Sequence, residues 1–202
     1  MEHSAFWNRI ADSYAARPVA NPTAYEQTLS RTRSYLRATD QVLEVGCGTG
    51  STALTLASDV AHYTATDISP RMVAIAQDKA AKSGAENVTF RTAVSEEPLD
   101  TTYYDAVIAM NLLHLVEDVP GTVATLADRL KPGGYLITKT ACLADRQWFL
   151  RPVIAVMQAI GKAPRPVKFI RASELERIFV RAGLKVVEAE DHGVRFIVAR
   201  KP

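Results

Sequence analysis

The stretch Val42-Leu43-Glu44-Val45-Gly46-Cys47-Gly48-Thr49-Gly50 decides the fold. A short, mainly apolar run ends in glycines at alternate positions, 46, 48 and 50. A helix-capable segment, Ser51-Thr52-Ala53-Leu54-Thr55-Leu56-Ala57, follows directly. Strand, tight glycine loop and helix in that order form the first half of a nucleotide-binding α/β unit. Glycine tolerates positive φ and lets a ligand lie against the backbone with no Cβ in the way. The helix that starts here points free N–H groups and a positive dipole end toward the loop, which favours an anionic group.

Glycine spacing separates the ligands such a loop can take. The dinucleotide pattern G-x-G-x-x-G needs its third glycine at position 51, which is Ser51; the third glycine is Gly50. The loop instead resembles motif I of the class I S-adenosylmethionine (SAM)-dependent methyltransferases, E-x-G-x-G-x-G, through Glu44, Gly46, Gly48 and Gly50. The resemblance implies that this loop, with Cys47, holds the methionine and ribose parts of SAM rather than a pyrophosphate.

The flanking sequence alternates as an α/β protein should. Strands are expected at 41–46, 62–67, 87–93, 105–110, 135–141, 184–189 and 194–199, with helices at 51–58, 69–83, near 120–130 and 173–183. Ser69-Pro70 reads as a helix cap and first helical residue, and Gly84 as a stop. Lys131-Pro132-Gly133-Gly134 reads as a turn, and Ser173-x-x-Glu176 as a capping box. The expected architecture is a doubly wound, seven-stranded, mostly parallel sheet closed by an antiparallel β-hairpin around Asp191-His192-Gly193, as the resemblance also implies. One domain, 1–202, divides into a helical cap (1–39), a SAM-binding core (40–142), an insertion (143–172) and a closing helix with hairpin (173–202). In the cap, Phe6, Trp7, Ile10 and Tyr14 recur at helical spacing, and Asn21-Pro22 opens a second helix to about 37.

Composition narrows the partners. A net charge of +2 gives no steering toward nucleic acid, and no apolar run reaches the about 20 residues that span a bilayer. The N-terminus lacks a secretory signal pattern, and Cys47 and Cys142 suggest no disulfide framework, so a cytoplasmic setting is expected. The four histidines are scattered, with no carboxylate cluster beside them, so no metal site is expected.

Several residues stand where ligands bind in such folds. Asp67 follows Gly46 by 21 positions and closes the second strand, where an acid can hold a ribose diol. Ile68 is placed to pack on an adenine, with Met72 nearby. The family's adenine-reading acid falls near Val94, which cannot accept a hydrogen bond through its side chain; backbone groups of Val94 and Ser95 remain available. Asn111 follows the fourth strand at the ligand crevice. The resemblance places Asn111 beside the transferable methyl and makes Tyr14 a candidate to face the sulfonium. His114 is the best-placed imidazole for proton removal, against the alternative of a loop histidine satisfied by backbone.

These features point to SAM-dependent transfer of a methyl group to a small or apolar acceptor, by in-line displacement. A non-catalytic SAM-binding module and an NAD(P)-dependent oxidoreductase are the alternatives. The oligomeric state is left open. Within 143–172, Pro152 to Ile160 has Gln158 as its one polar residue, so a helix there is apolar nearly all round. Such a helix packs inward, meets a lipid phase or roofs an apolar ligand, here together with the Phe6/Trp7/Tyr14 helix. Basic residues flank it, which allows peripheral membrane contact.

Overall fold

Alternation of apolar strands and amphipathic helices folds this chain as a three-layer α/β sandwich. The computed structural model describes residues 2–94, 103–191 and 194–202. Two helices, α1 (Glu2–Ala15) and α2 (Pro22–Arg33), precede the sheet. Then come β1 (Gln41–Val45), α3 (Ser51–Leu56), β2 (His62–Asp67), α4 (Pro70–Ser83), β3 (Val88–Thr92) and β4 (Tyr104–Met110). They are followed by α5 (Val119–Asp128), β5 (Leu130–Thr140), α6 (Leu143–Arg146) and α7 (Arg151–Ala159). The last elements are α8 (Ala172–Arg181), β6 (Lys185–Asp191) and β7 (Arg195–Arg200).

The strand order is β3-β2-β1-β4-β5-β7-β6, and β7 runs antiparallel to both of its neighbours. Alternate residues of each strand face opposite sides. Val42, Tyr63, Ala65 and Ile108 pack with Leu29 of α2, Ala53 and Leu56 of α3, and Val73 and Ala76 of α4. On the other face Leu43, Val107, Leu136 and Ile197 pack with Val123 and Leu126 of α5 and Leu175 and Phe179 of α8. Because both faces are covered, β4 is nearly continuously apolar and buried.

The caps explain where α4 lies. Ser69 Oγ accepts from the Met72 amide at 3.1 Å, Pro70 opens the helix, and Gly84 ends it in the left-handed region. Other elements depart from expectation. The helix after the glycine loop is α-helical only to Leu56, then tightens into a 3-10 turn at Ala57–Asp59. The second helix stops at Arg33 rather than 37, because Tyr35 and Leu36 fold back onto Thr32 and Arg33 in turns.

Lys131-Pro132-Gly133-Gly134 is not a free turn but lies inside β5. It forms a bulge opposite the Tyr104-to-Ala106 step of β4 and is held by Lys201, through Gly133 N–H to Lys201 O and Lys201 N–H to Gly134 O. The expected capping box at Ser173 is absent as well. The helix already includes Ala172, whose amide donates to Asp145 Oδ2 of α6 at 2.8 Å, and Glu176 instead pairs with Arg195. The last two strands sit one or two residues later than expected. His192 and Gly193, expected in the closing turn, lie outside the described residues.

The N-terminal helices pin themselves to this frame. Asn8 Oδ1 of α1 accepts from Ser69 Oγ at 2.6 Å and from the Arg71 amide at 3.2 Å, and Asp12 pairs with Arg71. Arg31 of α2 joins Glu188 and Glu190 of β6, and Lys139 Nζ donates to Thr28 Oγ1 at 2.9 Å. Thus α1 stands over the carboxyl ends of the strands, while α2 braces the sheet face.

Candidate functional site

Strand order reverses between β1 and β4, and the loops leaving these two strands define the crevice where open α/β sheets bind ligands. The glycine loop leaves β1 with Gly46, Gly48 and Gly50 all at positive φ. Two of them have no room for a side chain. A Cβ on Gly46 would meet Leu112 Cδ1 at 2.9 Å, and one on Gly50 would meet Ala76 Cβ at 2.7 Å and the Phe90 ring at 2.8 Å. The loop therefore rests on the loop after β4 and on α4. The Gly46 and Cys47 amides donate to the Thr66 carbonyl at 2.8 and 2.9 Å, and Lys79 Nζ reaches Thr49 Oγ1 at 2.9 Å.

Asp67 joins this loop to the next helix. Its Oδ2 accepts from the Gly48 amide at 2.8 Å and its Oδ1 from the Ser69 amide at 2.9 Å. Burial pushes the carboxyl above the usual range, and the two amides draw it back. Each oxygen keeps a second lone pair, so the group can still accept from a diol.

Glu44 lies deeper, buried among apolar residues of one sheet face, and accepts from Tyr63 Oη at 3.0 Å. Burial raises its pKa to about 7, the Tyr63 bond lowers it, and the charge of Asp67 adds to the rise. Cys47 is buried, with its thiol pushed up by burial.

Tyr14 of α1 is half exposed, and its Cε1 lies 3.9 Å from where a Gly48 Cβ would stand, so the ring hangs over the loop. Ile68 is half-buried beside Asp67, whereas Met72 is fully buried inside α4's packing face. Val94 is half-buried just after β3. Ser95 lies outside the described residues. Asn111 is the one non-glycine residue at positive φ among the described residues, at φ 56°, with its amide donating to the Lys139 carbonyl at 2.6 Å. Such backbone strain is uncommon outside glycine and clusters at functional positions.

His114 follows on a 3-10 turn, Leu113–Leu115. Its carbonyl accepts from the Lys168 amide at 2.7 Å, which ties it to the insertion. Its Nδ1 is buried without a hydrogen-bond partner among the described residues, and burial lowers its pKa to about 4. Thr138 Oγ1, Thr140 Oγ1 and Arg195 Nε share that unpartnered state on β5 and β7. Among the described residues no group of three or more His, Cys, Asp or Glu could hold a metal.

Sequence reasoning missed Tyr63, Asn8 and Lys79. Tyr63 became visible only through register: pairing Val42 with Tyr63 and Glu44 with Ala65 puts the phenol diagonal to the acid on one face. Asn8 and Lys79 carry no local signal, since their partners lie 61 and 30 residues away.

A family described as "Methyltransferase domain" matches residues 17–189, and the chain belongs to that family. A ubiquinone biosynthesis O-methyltransferase of Aromatoleum aromaticum is 33% identical over 156 residues, covering 73% of this chain. The match spans 65% of that relative's length. Among solved structures, the N-methyltransferase NodS of Bradyrhizobium japonicum WM9, bound to S-adenosyl-l-homocysteine, superposes with a TM-score of 0.71 at 18% identity. It covers 97% of this chain and 98% of its own. Magnesium protoporphyrin IX methyltransferase of Synechocystis PCC 6803, also with the demethylated cofactor bound, gives 0.69 at 21% identity, over 98% and 94% of the two chains. These two share the fold.

Proposed function

We propose that this chain transfers the methyl group of SAM to a small, apolar, hydroxyl-bearing acceptor, leaving S-adenosylhomocysteine. The observation that carries this is the glycine loop of the Glu44-x-Gly-x-Gly-x-Gly stretch, held open at positive φ and locked by Asp67 through the Gly48 amide.

The residues present suit such a cofactor. Gly48 offers bare backbone under the Tyr14 ring, Asp67 keeps free lone pairs for a ribose diol, and Lys79 of α4 staples the loop through Thr49. In this reading Gly46, Cys47, Gly48 and Asn111 surround the methionine end, with Glu44 buttressing the loop from below. Ile68 and Val94 stand at the adenine end, with the Met72 side chain buried behind them in α4's packing face, and Tyr14 offers its π-face to a cation. When bound, SAM supplies an electrophilic methyl on a positively charged sulfur.

The chain's part is alignment and exclusion of water, which can contribute on the order of 7–11 kcal/mol to lowering a barrier. His114 takes the acceptor's proton. Its low pKa keeps the imidazole neutral at pH 7, with Nδ1 enclosed and free to accept. The segment 143–172 selects the acceptor, since it is tied to the His114 carbonyl and follows the end of β5. The acceptor class is suggested by the quinone-pathway relative.

Calorimetry with SAM and with NADH, followed by turnover on a panel of apolar hydroxyl compounds, polar metabolites and RNA, tests the assignment. SAM binding with turnover on the apolar hydroxyls is expected, and the acid limb of kcat/KM should fall toward pH 4 rather than 6.5. Tight NADH binding, SAM binding without turnover on any acceptor, or preferred methylation of RNA would overturn it.

A further inference from the structure

The helix α7 is built inside out. Ile154 and Gln158 are its only half-buried residues, and Gln158 Nε2 donates to the Pro164 carbonyl at 2.8 Å. Val153, Val156, Met157 and Ile160 follow at i, i+3, i+4 and i+7, which makes one stripe, and they are 52%, 61%, 37% and 60% exposed. The preceding turn adds Trp148 and Phe149 at 66% and 56%. The sequence offered three uses for this helix: inward packing, an acceptor roof and contact with a lipid phase. Its C-terminal end does meet α1, where Arg9 Nη2 donates to the Gly161 carbonyl. The apolar stripe itself faces outward, which leaves the lipid phase as the use that accounts for it.

Single exposed apolar residues are ordinary, but six within the short stretch 148–160 mark a candidate interaction surface. Charge identifies the occupant. Residues 143–171 hold Arg146, Arg151, Lys162, Arg165, Lys168 and Arg171 against the single acid Asp145, in a chain whose net charge is only +2. The remainder of the chain is therefore net acidic, and the excess positive charge lies in the segment that carries the apolar stripe, where Lys168 pairs with Glu117. Arg151 stacks on Phe169 at 4.8 Å, while Lys162 and Arg165 are exposed just past the helix. Apolar residues on one side and cations beside them are what a helix needs to lie in the plane of an anionic bilayer. At nine residues, α7 is about 14 Å long, too short to cross one.

We propose that residues 148–165 form a peripheral docking surface for anionic phospholipid bilayers. The Trp148, Phe149, Val153, Val156 and Ile160 side chains enter the acyl boundary, and Lys162 and Arg165 rest among phosphate headgroups. This goes beyond the methyl-transfer assignment and needs neither cofactor nor acceptor to be observed.

The test uses the full chain with Trp7→Phe, so that Trp148 is the sole indole. It is titrated with phosphatidylcholine vesicles and with vesicles containing phosphatidylglycerol. A blue shift of Trp148 emission and co-sedimentation with the anionic vesicles are expected. Each of Lys162→Glu and Arg165→Glu should weaken binding by about fivefold or more, with a loss that grows with salt. Val156→Asp with Ile160→Asp should abolish the shift, and circular dichroism melts should match the parent because both positions are exposed. No binding to either vesicle, binding that these variants leave unchanged, or a concentration-dependent dimer that vesicles do not compete with would overturn the proposal.

Discussion

At the scale of single residues, two carboxylates near the glycine loop do opposite work. Asp67 is held by two backbone amides, so its charge organises the loop. In Asp67→Asn one amide loses its acceptor, and SAM affinity should drop by about 2 kcal/mol in calorimetry while the fold persists. Glu44 has one neutral donor and a folded pKa of about 7, against an ordinary value of 4.5. Between those values the folded chain keeps a proton that the unfolded chain has released. Stability therefore falls as pH rises through that window, by on the order of 3 kcal/mol at most. Buried His114 acts in the other direction: its pKa falls from 6.5 to about 4, so the unfolded chain takes up the proton first and stability falls as pH drops across that range. Glu44→Gln removes only the first effect. Urea unfolding should show the variant gaining on the parent as pH rises from 4.5 to 8; a difference that does not change with pH would disprove the buried-acid assignment.

At the scale of elements, what could be read in advance depends on where each boundary is made. The limits of α4 were legible because Ser69, Pro70 and Gly84 act on the chain within a turn of themselves. The start of α8 was not, because Asp145, 27 residues earlier, supplies the acceptor that a capping box would have supplied locally. The bulge in β5 was hidden for the same reason, since Lys201 holds it from the far end of the chain. In the site, glycine spacing and Asp67 were legible as local pattern, whereas Tyr63 and Asn8 depend on register and docking. Ser69 sits at the junction of both kinds of information, capping α4 and donating to Asn8 of α1. Ser69→Ala should cost about 1 kcal/mol through the cap alone. Paired with Asn8→Ala, it should give a coupling energy in a double-mutant cycle of thermal melts, together with faster proteolysis within α1. Simple additivity would show that α1 is held by other contacts.

At the scale of the whole molecule, the sheet has two cores, and β7 contributes to both: Ile197 and Ala199 to one, Phe196 and Val198 to the other. Ile197→Ala, at a wholly buried position, should lower stability by about 2–5 kcal/mol in urea titration. A loss under 1 kcal/mol would mean that this end of the sheet is loosely packed. The position of β7 in the order, between β5 and β6, also sets a timetable for the growing chain. Translation delivers the residues of β5 and β6 before their shared partner exists, and because β6 pairs with β7 alone, residues 195–200 must join the β5 edge before β6 can complete the sheet. Until they do, β5 presents an open row of amides and carbonyls, the kind of edge on which nascent chains pair with one another. A ribosome stalled just before codon 195 would hold a chain with its glycine loop encoded and its sheet still split.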